Sequence, residues 1–219
     1  MAEWEQFFDL DAFRGTKLAG EPFPYLTVPR FIRPDVFERL DREFPAIAEP
    51  GSFPPSELSY GAYFQSFLDA LASPGFRELF AEKFGMVLGE FAPLVTVRGR
   101  IRSTDGRIHT DTRSKLITVL LYFNRDWDDN GGRLRLLRSP DDLDDWVEEI
   151  PPVNGQLLAF RVTANSWHGH LPASGPRRAI QLNWVTDPEV LHREETRHRM
   201  SARVKKLTSF LRPRAAAQP

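Results

Sequence analysis

Two hydrophobic periods divide the chain. Before about residue 92, apolar residues recur at helical spacing between proline-rich connections; from about Pro93 they alternate as in strands. Val36, Leu40 and Phe44 share one face of a helix predicted over Asp35 to Phe44, with Pro34 and Phe37 near its start and Pro45 ending it. Phe64 to Leu71 and Pro74 to Phe84 predict two more helices, the second opened by Ser73-Pro74 and closed by Gly85. The proline-rich stretch Glu49 to Ser59 reads as a loop, and as a candidate lid over a site.

Beyond Pro93, Val95, Val97, Gly99 and Ile101 alternate with other residues, and Leu116 to Phe123 is a dense β-branched and aromatic run. Arg133 to Arg138, Gln156 to Val162 and Arg178 to Val185 follow, separated by turns rich in Gly, Pro and Asp. No helical pattern separates these strands, which argues against a doubly wound parallel sheet. The expectation is a mainly β fold: a double-stranded β-helix (jelly roll, cupin-like) core with N-terminal helices on one sheet and a C-terminal helix. The expected organisation is a single domain: residues 1–92 as a helical and loop region packing on the barrel, 93–186 as the core, and 187–219 as a basic C-terminal helix and tail. In that last segment Met200, Val204, Leu207 and Leu211 form one stripe, flanked by Arg197, Arg199, Arg203, Lys205 and Lys206. The stripe is expected to pack on the protein itself or on a second copy, which would make a homodimer.

Composition narrows the chemistry. A hydrophobic fraction of 41% over 219 residues suffices for one core, and the net charge of −1 gives no argument for nucleic acid or membrane partners. The absence of cysteine excludes disulfides, zinc knuckles and thiol nucleophiles, so any metal must use His, Asp or Glu. The acidic start Met1-Ala2-Glu3-Trp4-Glu5 lacks the order of a signal peptide, and the apolar stretch Leu116 to Asn124 is too short to span a bilayer. A cytoplasmic location is therefore expected. The acidic stretch Asp126 to Glu149 and the basic C-terminal stretch read as solvated surface.

The chemistry centres on His109-Thr110-Asp111. On a strand, residues two apart point to one face, so an imidazole and a carboxylate can converge on one ion, and a third ligand would complete a facial triad suited to iron(II). Of the remaining histidines, His192 and His198 fall in the charged C-terminal helix, which leaves His168 and His170 in Ser-Trp-His-Gly-His-Leu-Pro. Both share one strand parity, so periodicity does not choose; His170 is read as a core or turn histidine. In Leu116 to Asn124 one face carries Thr118, Leu120 and Tyr122 and the other Ile117, Val119, Leu121 and Phe123, and the first is expected to offer hydroxyls to a cavity. For Arg177 to Trp184, an inward Arg178 brings Ile180, Leu182 and Trp184 inward with it, whereas an inward Arg177 brings Ala179, Gln181 and Asn183. The larger apolar set favours Arg178. A buried arginine needs an anion, here expected to be a bound dicarboxylate.

These features resemble the iron(II)/2-oxoglutarate-dependent dioxygenase superfamily, in its prolyl-4-hydroxylase-like branch. The resemblance covers about residues 93–186. It rests on His109-Thr110-Asp111, the run Leu116 to Trp127, Gly131-Gly132-Arg133-Leu134-Arg135-Leu136, Trp167-His168 with Pro172 following, and Arg178 ten residues after His168. It implies Fe(2+) held by His109, Asp111 and His168. It also implies 2-oxoglutarate as cosubstrate, clamped by Arg178 with Tyr122 (and Thr118 nearby), and O2 as oxidant. The family spacing leaves Arg177 as a rival clamp. The implied reaction is hydroxylation of a prolyl or other amino-acid residue or a small metabolite, with succinate and CO2 as coproducts. Halogenases of the superfamily lack the carboxylate ligand, so Asp111 favours hydroxylation. Two departures stand out: the first ninety residues match nothing specific, and Arg98-Gly99-Arg100-Ile101-Arg102 is unusually basic for its strand. With Arg107, Arg113 and Lys115 that basic set points to an acidic substrate or to ordinary surface charge. The alternatives are a non-catalytic jelly-roll metal- or ligand-binding module and an interaction protein acting through its C-terminal helix.

Overall fold

The structure is a computed structural model that describes residues 2–90 and 93–186 and, beyond these, residues 189, 191–193, 196 and 200. Residues 2–90 hold a short 3-10 turn at Glu3–Phe7 and then four α-helices, α1 (Leu10–Gly15), α2 (Pro34–Glu43), α3 (Ala62–Leu71) and α4 (Pro74–Phe84). Among the described residues the eight strands are β1 (Tyr25–Val28), β2 (Leu94–Ile101), β3 (Lys115–Tyr122), β4 (Leu134–Leu137), β5 (Trp146–Ile150), β6 (Leu157–Arg161), β7 (His168–Gly169) and β8 (Gly175–Val185).

The helix boundaries follow from local chemistry. Pro34 and Pro74 sit in the first turns of α2 and α4, where the missing N–H costs nothing. The Ser73 hydroxyl accepts from the Phe76 N–H at 3.2 Å, and Gly85 ends α4 in the left-handed region at φ 60°. The expected α2, α3 and α4 lie within two residues of their predicted bounds; the 3-10 turn and α1, each about one turn long, were too short for periodicity to reveal.

The strands form two antiparallel sheets, one ordered β1-β6-β3-β8-β2 and the other β5-β4-β7, in a jelly-roll core. One face of the larger sheet carries Val97, Ile117, Val119, Leu121, Ile180, Leu182 and Trp184, which pack with α2, α3 and α4 in the main core. The opposite face carries Leu120, Tyr122, Leu158, Phe160 and Ala179, which meet Leu134, Leu136 and Ile150 of the smaller sheet. Strand β1 belongs to the N-terminal segment yet pairs residue for residue with β6, from Tyr25↔Phe160 to Val28↔Leu157. The helical lead-in therefore contributes an edge strand as well as a packing layer.

The loop expected over Glu49 to Ser59 is tied to the edge of the larger sheet: Phe53 and Val97 exchange backbone hydrogen bonds of 3.0 and 2.8 Å. Of the C-terminal stripe, Met200 is exposed, while Val204, Leu207 and Leu211 lie outside the described residues.

Trp184 ties the sheet to the helices. It is fully buried, with its ring centroid 6.3 Å from Phe76 and 5.4 Å from Phe80, and its Nε1 has no hydrogen-bond partner. Trp184→Ala should lower unfolding free energy by about 3–5 kcal/mol through cavity formation, whereas Trp184→Phe, which also removes the unpaired N–H, should cost well under half of that. Urea denaturation of both variants checks this, and equal losses would count against it.

Candidate functional site

Between the two sheets lies a cavity of about 210 Å³, and the carboxylate and imidazoles picked out by spacing converge at it. His109 stands on an extended segment, not within a ladder strand. It forms a two-way backbone bridge with His168 of β7, with both N–H···O distances 3.0 Å. Their rings stand 4.3 Å apart between centroids. His168 is carried on the smaller sheet, opposite Leu136 of β4. Asp111 follows two residues after His109, and one ligand atom from each of His109, Asp111 and His168 lies within 4.8 Å of the others.

The donor set fits a borderline divalent metal. Nδ1 of His109 lies 2.8 Å from the Arg107 carbonyl and Nδ1 of His168 lies 3.0 Å from the Ser166 carbonyl. A carbonyl only accepts, so each Nδ1 carries the proton and each Nε2 keeps its lone pair for a metal. The Asp111 carboxylate is oriented from both sides: Lys115 Nζ donates to one oxygen at 3.0 Å and the Thr118 hydroxyl donates to the other. Asn183 Nδ2 donates to the Thr118 oxygen at 2.8 Å, and Gln181 Nε2 donates to Asn183 Oδ1 at 3.2 Å, so β3 and β8 together fix the carboxylate. Burial would raise the Asp111 pKa, but Lys115, His168 and the Thr118 hydroxyl outweigh it and hold the group below its ordinary value. Burial, with His109 adding to it, pushes His168 down to about 4, which keeps its imidazole neutral, the form able to ligate a metal.

Two residues beyond Leu120 on the same face of β3 stands Tyr122, fully buried, and beside it Arg177 at 4% exposure. Arg177 Nε donates to the Gly132 carbonyl at 2.7 Å, and another guanidinium nitrogen lies 3.4 Å from the Tyr122 hydroxyl. No carboxylate among the described residues pairs with this buried cation. Burial raises the Tyr122 pKa and Arg177 opposes the rise, so the phenol stays protonated and able to donate.

This corrects the expected register of β8. Arg178 does not enter the cavity; it is half-buried on the helix side, ion-pairs with Asp41 of α2 and donates to the Phe123 carbonyl at 2.6 Å. The parity argument assumed that the larger apolar set lines the barrel. In fact Ile180, Leu182 and Trp184 face the helices, the cavity takes Arg177, Gln181 and Asn183, and Ala179 joins the apolar cluster between the sheets. Thr118 faces the cavity as expected, but its hydroxyl is committed to Asp111 and not free for a cosubstrate. His170 lines the cavity without joining the group of three, its Nδ1 2.8 Å from the Leu171 carbonyl and its ring beside Gly106. Arg98 was read only as one of a basic set, and Gln181 and Asn183 only as the inward set that an inward Arg177 would bring. For Gln181 and Asn183 the signal was their pairing across to the Leu120 and Thr118 positions of β3, a face already read as cavity-lining.

Residues 100–186 match the model of the 2OG-Fe(II) oxygenase superfamily. His109, Asp111, His168, Tyr122 and Arg177 all fall within that match. The chain's cofactors are therefore Fe(II) and 2-oxoglutarate, with O2, and together these supply the oxidising power when bound. The superfamily fold is borne out by solved structures. A prolyl-4-hydroxylase from Pseudomonas putida is 18% identical with a TM-score of 0.51, over 81% of this chain and 93% of that one. A prolyl 4-hydroxylase from Phytophthora capsici is 14% identical with a TM-score of 0.53, over 85% and 67%. Both show the likeness of fold. No curated protein matches the chain in sequence. Among the described residues, no helix of this oxygenase is long and apolar enough to cross a membrane.

The depressed pKa of buried His168 sets a pH signature. In the unfolded chain the imidazole takes a proton near its ordinary value of about 6.5, and in the folded chain only near 4, so between these values the unfolded state binds more protons. With a chelator present, stability should fall as pH drops from about 6.5 to 4, by up to roughly 3 kcal/mol. His168→Gln should flatten that slope in denaturation measured across this range; an unchanged slope would mean that another group carries it.

Proposed function

We propose that this oxygenase hydroxylates an amino-acid residue, prolyl among the candidates, or a small metabolite, and releases succinate and CO2. In this reading His109, Asp111 and His168 hold the iron, and Arg177 with Tyr122 receives the distal carboxylate of 2-oxoglutarate. The observation that carries it is the pairing of two features in one cavity. Three ligand atoms stand within 4.8 Å of one another, and a buried arginine without a protein carboxylate among the described residues lines the same cavity. A desolvated guanidinium costs several kcal/mol unless an anion meets it, and a dicarboxylate chelating a metal beside Asp111 would supply one. The fold shared with prolyl-4-hydroxylases supports a residue substrate.

The chain's own contribution is positioning. The carbonyl-tied imidazoles and the doubly held carboxylate keep the ligands in place before metal arrives. Tyr122 can add an O–H donor to the carboxylate that Arg177 binds. Prolyl substrates are supported by the fold alone, so the substrate set to be screened includes free amino acids and short peptides.

Succinate formation from 2-oxoglutarate under added Fe(II) tests the assignment. His109→Ala, Asp111→Ala and His168→Ala should each abolish turnover, and His170→Ala should retain most of it. Arg177→Gln should raise the 2-oxoglutarate requirement about a hundredfold, on the scale of several kcal/mol for a lost buried charge partner. Arg178→Gln should leave that requirement unchanged while lowering stability through the lost Asp41 pair. An Arg178 variant that loses 2-oxoglutarate affinity while the Arg177 variant keeps it would reject this clamp.

A further inference from the structure

Of the three cations that line the cavity among the described residues, Arg98 is the one that neither the metal group nor the carboxylate clamp employs. It sits on β2 opposite Ala179 of β8, on the face shared by Leu94 and Thr96, while Val97 turns to the helices. Its Nε is buried without a hydrogen-bond partner. The two carboxylates that line the cavity are already engaged. Asp105 accepts from the Arg102 backbone N–H at 2.9 Å and stands 3.9 Å from the Arg102 guanidinium, and Asp111 is held by Lys115 and Thr118. Burial, followed by the nearby Arg177, pushes the Arg98 pKa below its ordinary value, which is the mark of a cation short of an anion.

Charge accounting points the same way. The cavity is lined by three cations, Arg98, Lys115 and Arg177, against the carboxylates Asp105 and Asp111. A divalent metal and a dianionic cosubstrate cancel each other, so the loaded cavity still holds one excess positive charge. Lys115 is committed to Asp111, and Arg177 lies against Tyr122 with its Nε on the Gly132 carbonyl. Arg98 stands beside the short side chain of Ala179, whose other neighbour across the sheet is Tyr122. The remaining basic residues of this stretch do not compete: Arg102, Arg107 and Arg113 are exposed, and Arg100, half-buried, does not line the cavity.

The geometry points to Arg98 as the residue that binds an anionic group, carboxylate or phosphate, on the molecule that is oxidised. It thereby selects an anionic substrate and fixes it beside the metal group. This rests on the oxygenase reading of the same cavity and narrows its substrate class. The rival within the same chemistry is a second clamp on 2-oxoglutarate, and the test separates the two.

The full chain, loaded anaerobically with Fe(II) and 2-oxoglutarate, is followed by the visible absorbance of the metal–cosubstrate chelate and by calorimetry. Inorganic phosphate and acetate are titrated separately. Arg98→Gln should leave the 2-oxoglutarate Kd within about twofold and weaken at least one of the two probes by about tenfold or more. Arg98→Lys should restore part of the phosphate affinity and less of the acetate affinity, because the charge survives while the fork that grips a carboxylate is lost. Should the Gln variant not fold, the Lys variant alone carries the test through that unequal loss. A stronger wild-type response to phosphate assigns a phosphorylated substrate, and a stronger response to acetate a carboxylate. A tenfold loss of 2-oxoglutarate affinity in the Arg98 variants would make Arg98 a second clamp and overturn the inference. So would a wild-type chain that binds 2-oxoglutarate but neither probe, or Arg98 variants that bind both probes as the wild type does. Absence of the chelate absorbance in the wild type would instead sink the oxygenase reading itself.

Discussion

Strand β8 lies between β3 and β2 in the larger sheet, and its pleat sends alternate side chains into two unlike environments. One side is the aromatic layer of α3 and α4; the other is the space between the sheets. Ile180, Leu182 and Trp184 each gain roughly 1.5–3 kcal/mol when buried, and they find partners among the helices. Shifting the register by one residue would press Arg177 into that apolar layer, where an unpaired charge costs several kcal/mol, and would fill the cavity with Trp184. Both terms favour the same register. The cavity exists because the apolar parity of β8 is spent on the helices.

The rest of the site hangs on this arrangement. With Asn183 and Gln181 turned to the cavity, a hydrogen-bond chain reaches Thr118 and then Asp111, so the orientation of one carboxylate is set by two strands. With Arg177 turned the same way, a cation meets Tyr122 on the face that Asp111 also approaches through Thr118. The two imidazoles are fixed by a different device. The backbone bridge between His109 and His168 joins the segment before β3 to the smaller sheet, and carbonyls on Arg107 and Ser166 hold the ring protons away from the centre. Such pre-positioning lets a metal bind without reordering its ligands.

The ion pair of Arg178 with Asp41 shows how the unused parity is employed. Next to a residue that enters the cavity, the following arginine reaches α2, which also receives Arg125 through Glu38 and Asp41. These half-exposed pairs fasten the helical layer to the sheet end, and they add orientation more than stability, since exposed pairs are worth about 1 kcal/mol or less each.

Local sequence determined α2, α3 and α4 through prolines, a serine cap and a closing glycine. It determined β2, β3, β4, β6 and β8 through β-branched and aromatic runs, because these signals act within a few residues. It also brought His109 and Asp111 together by spacing alone, and split β3 correctly into a helix face and a cavity face. Tertiary structure decided the rest. Strands β1 and β7, of four and two residues, exist only because distant partners pair with them, and β5 lay inside a stretch whose acidity read as solvated surface. Periodicity sorted β8 into two sets but could not say which side the helices occupied, so it chose Arg178 where the fold turns Arg177 inward. The same holds for Arg98: its parity was legible, but its lack of a partner depends on where Asp105 and Asp111 point, and that is fixed only when the loop, the two sheets and the bridge come together.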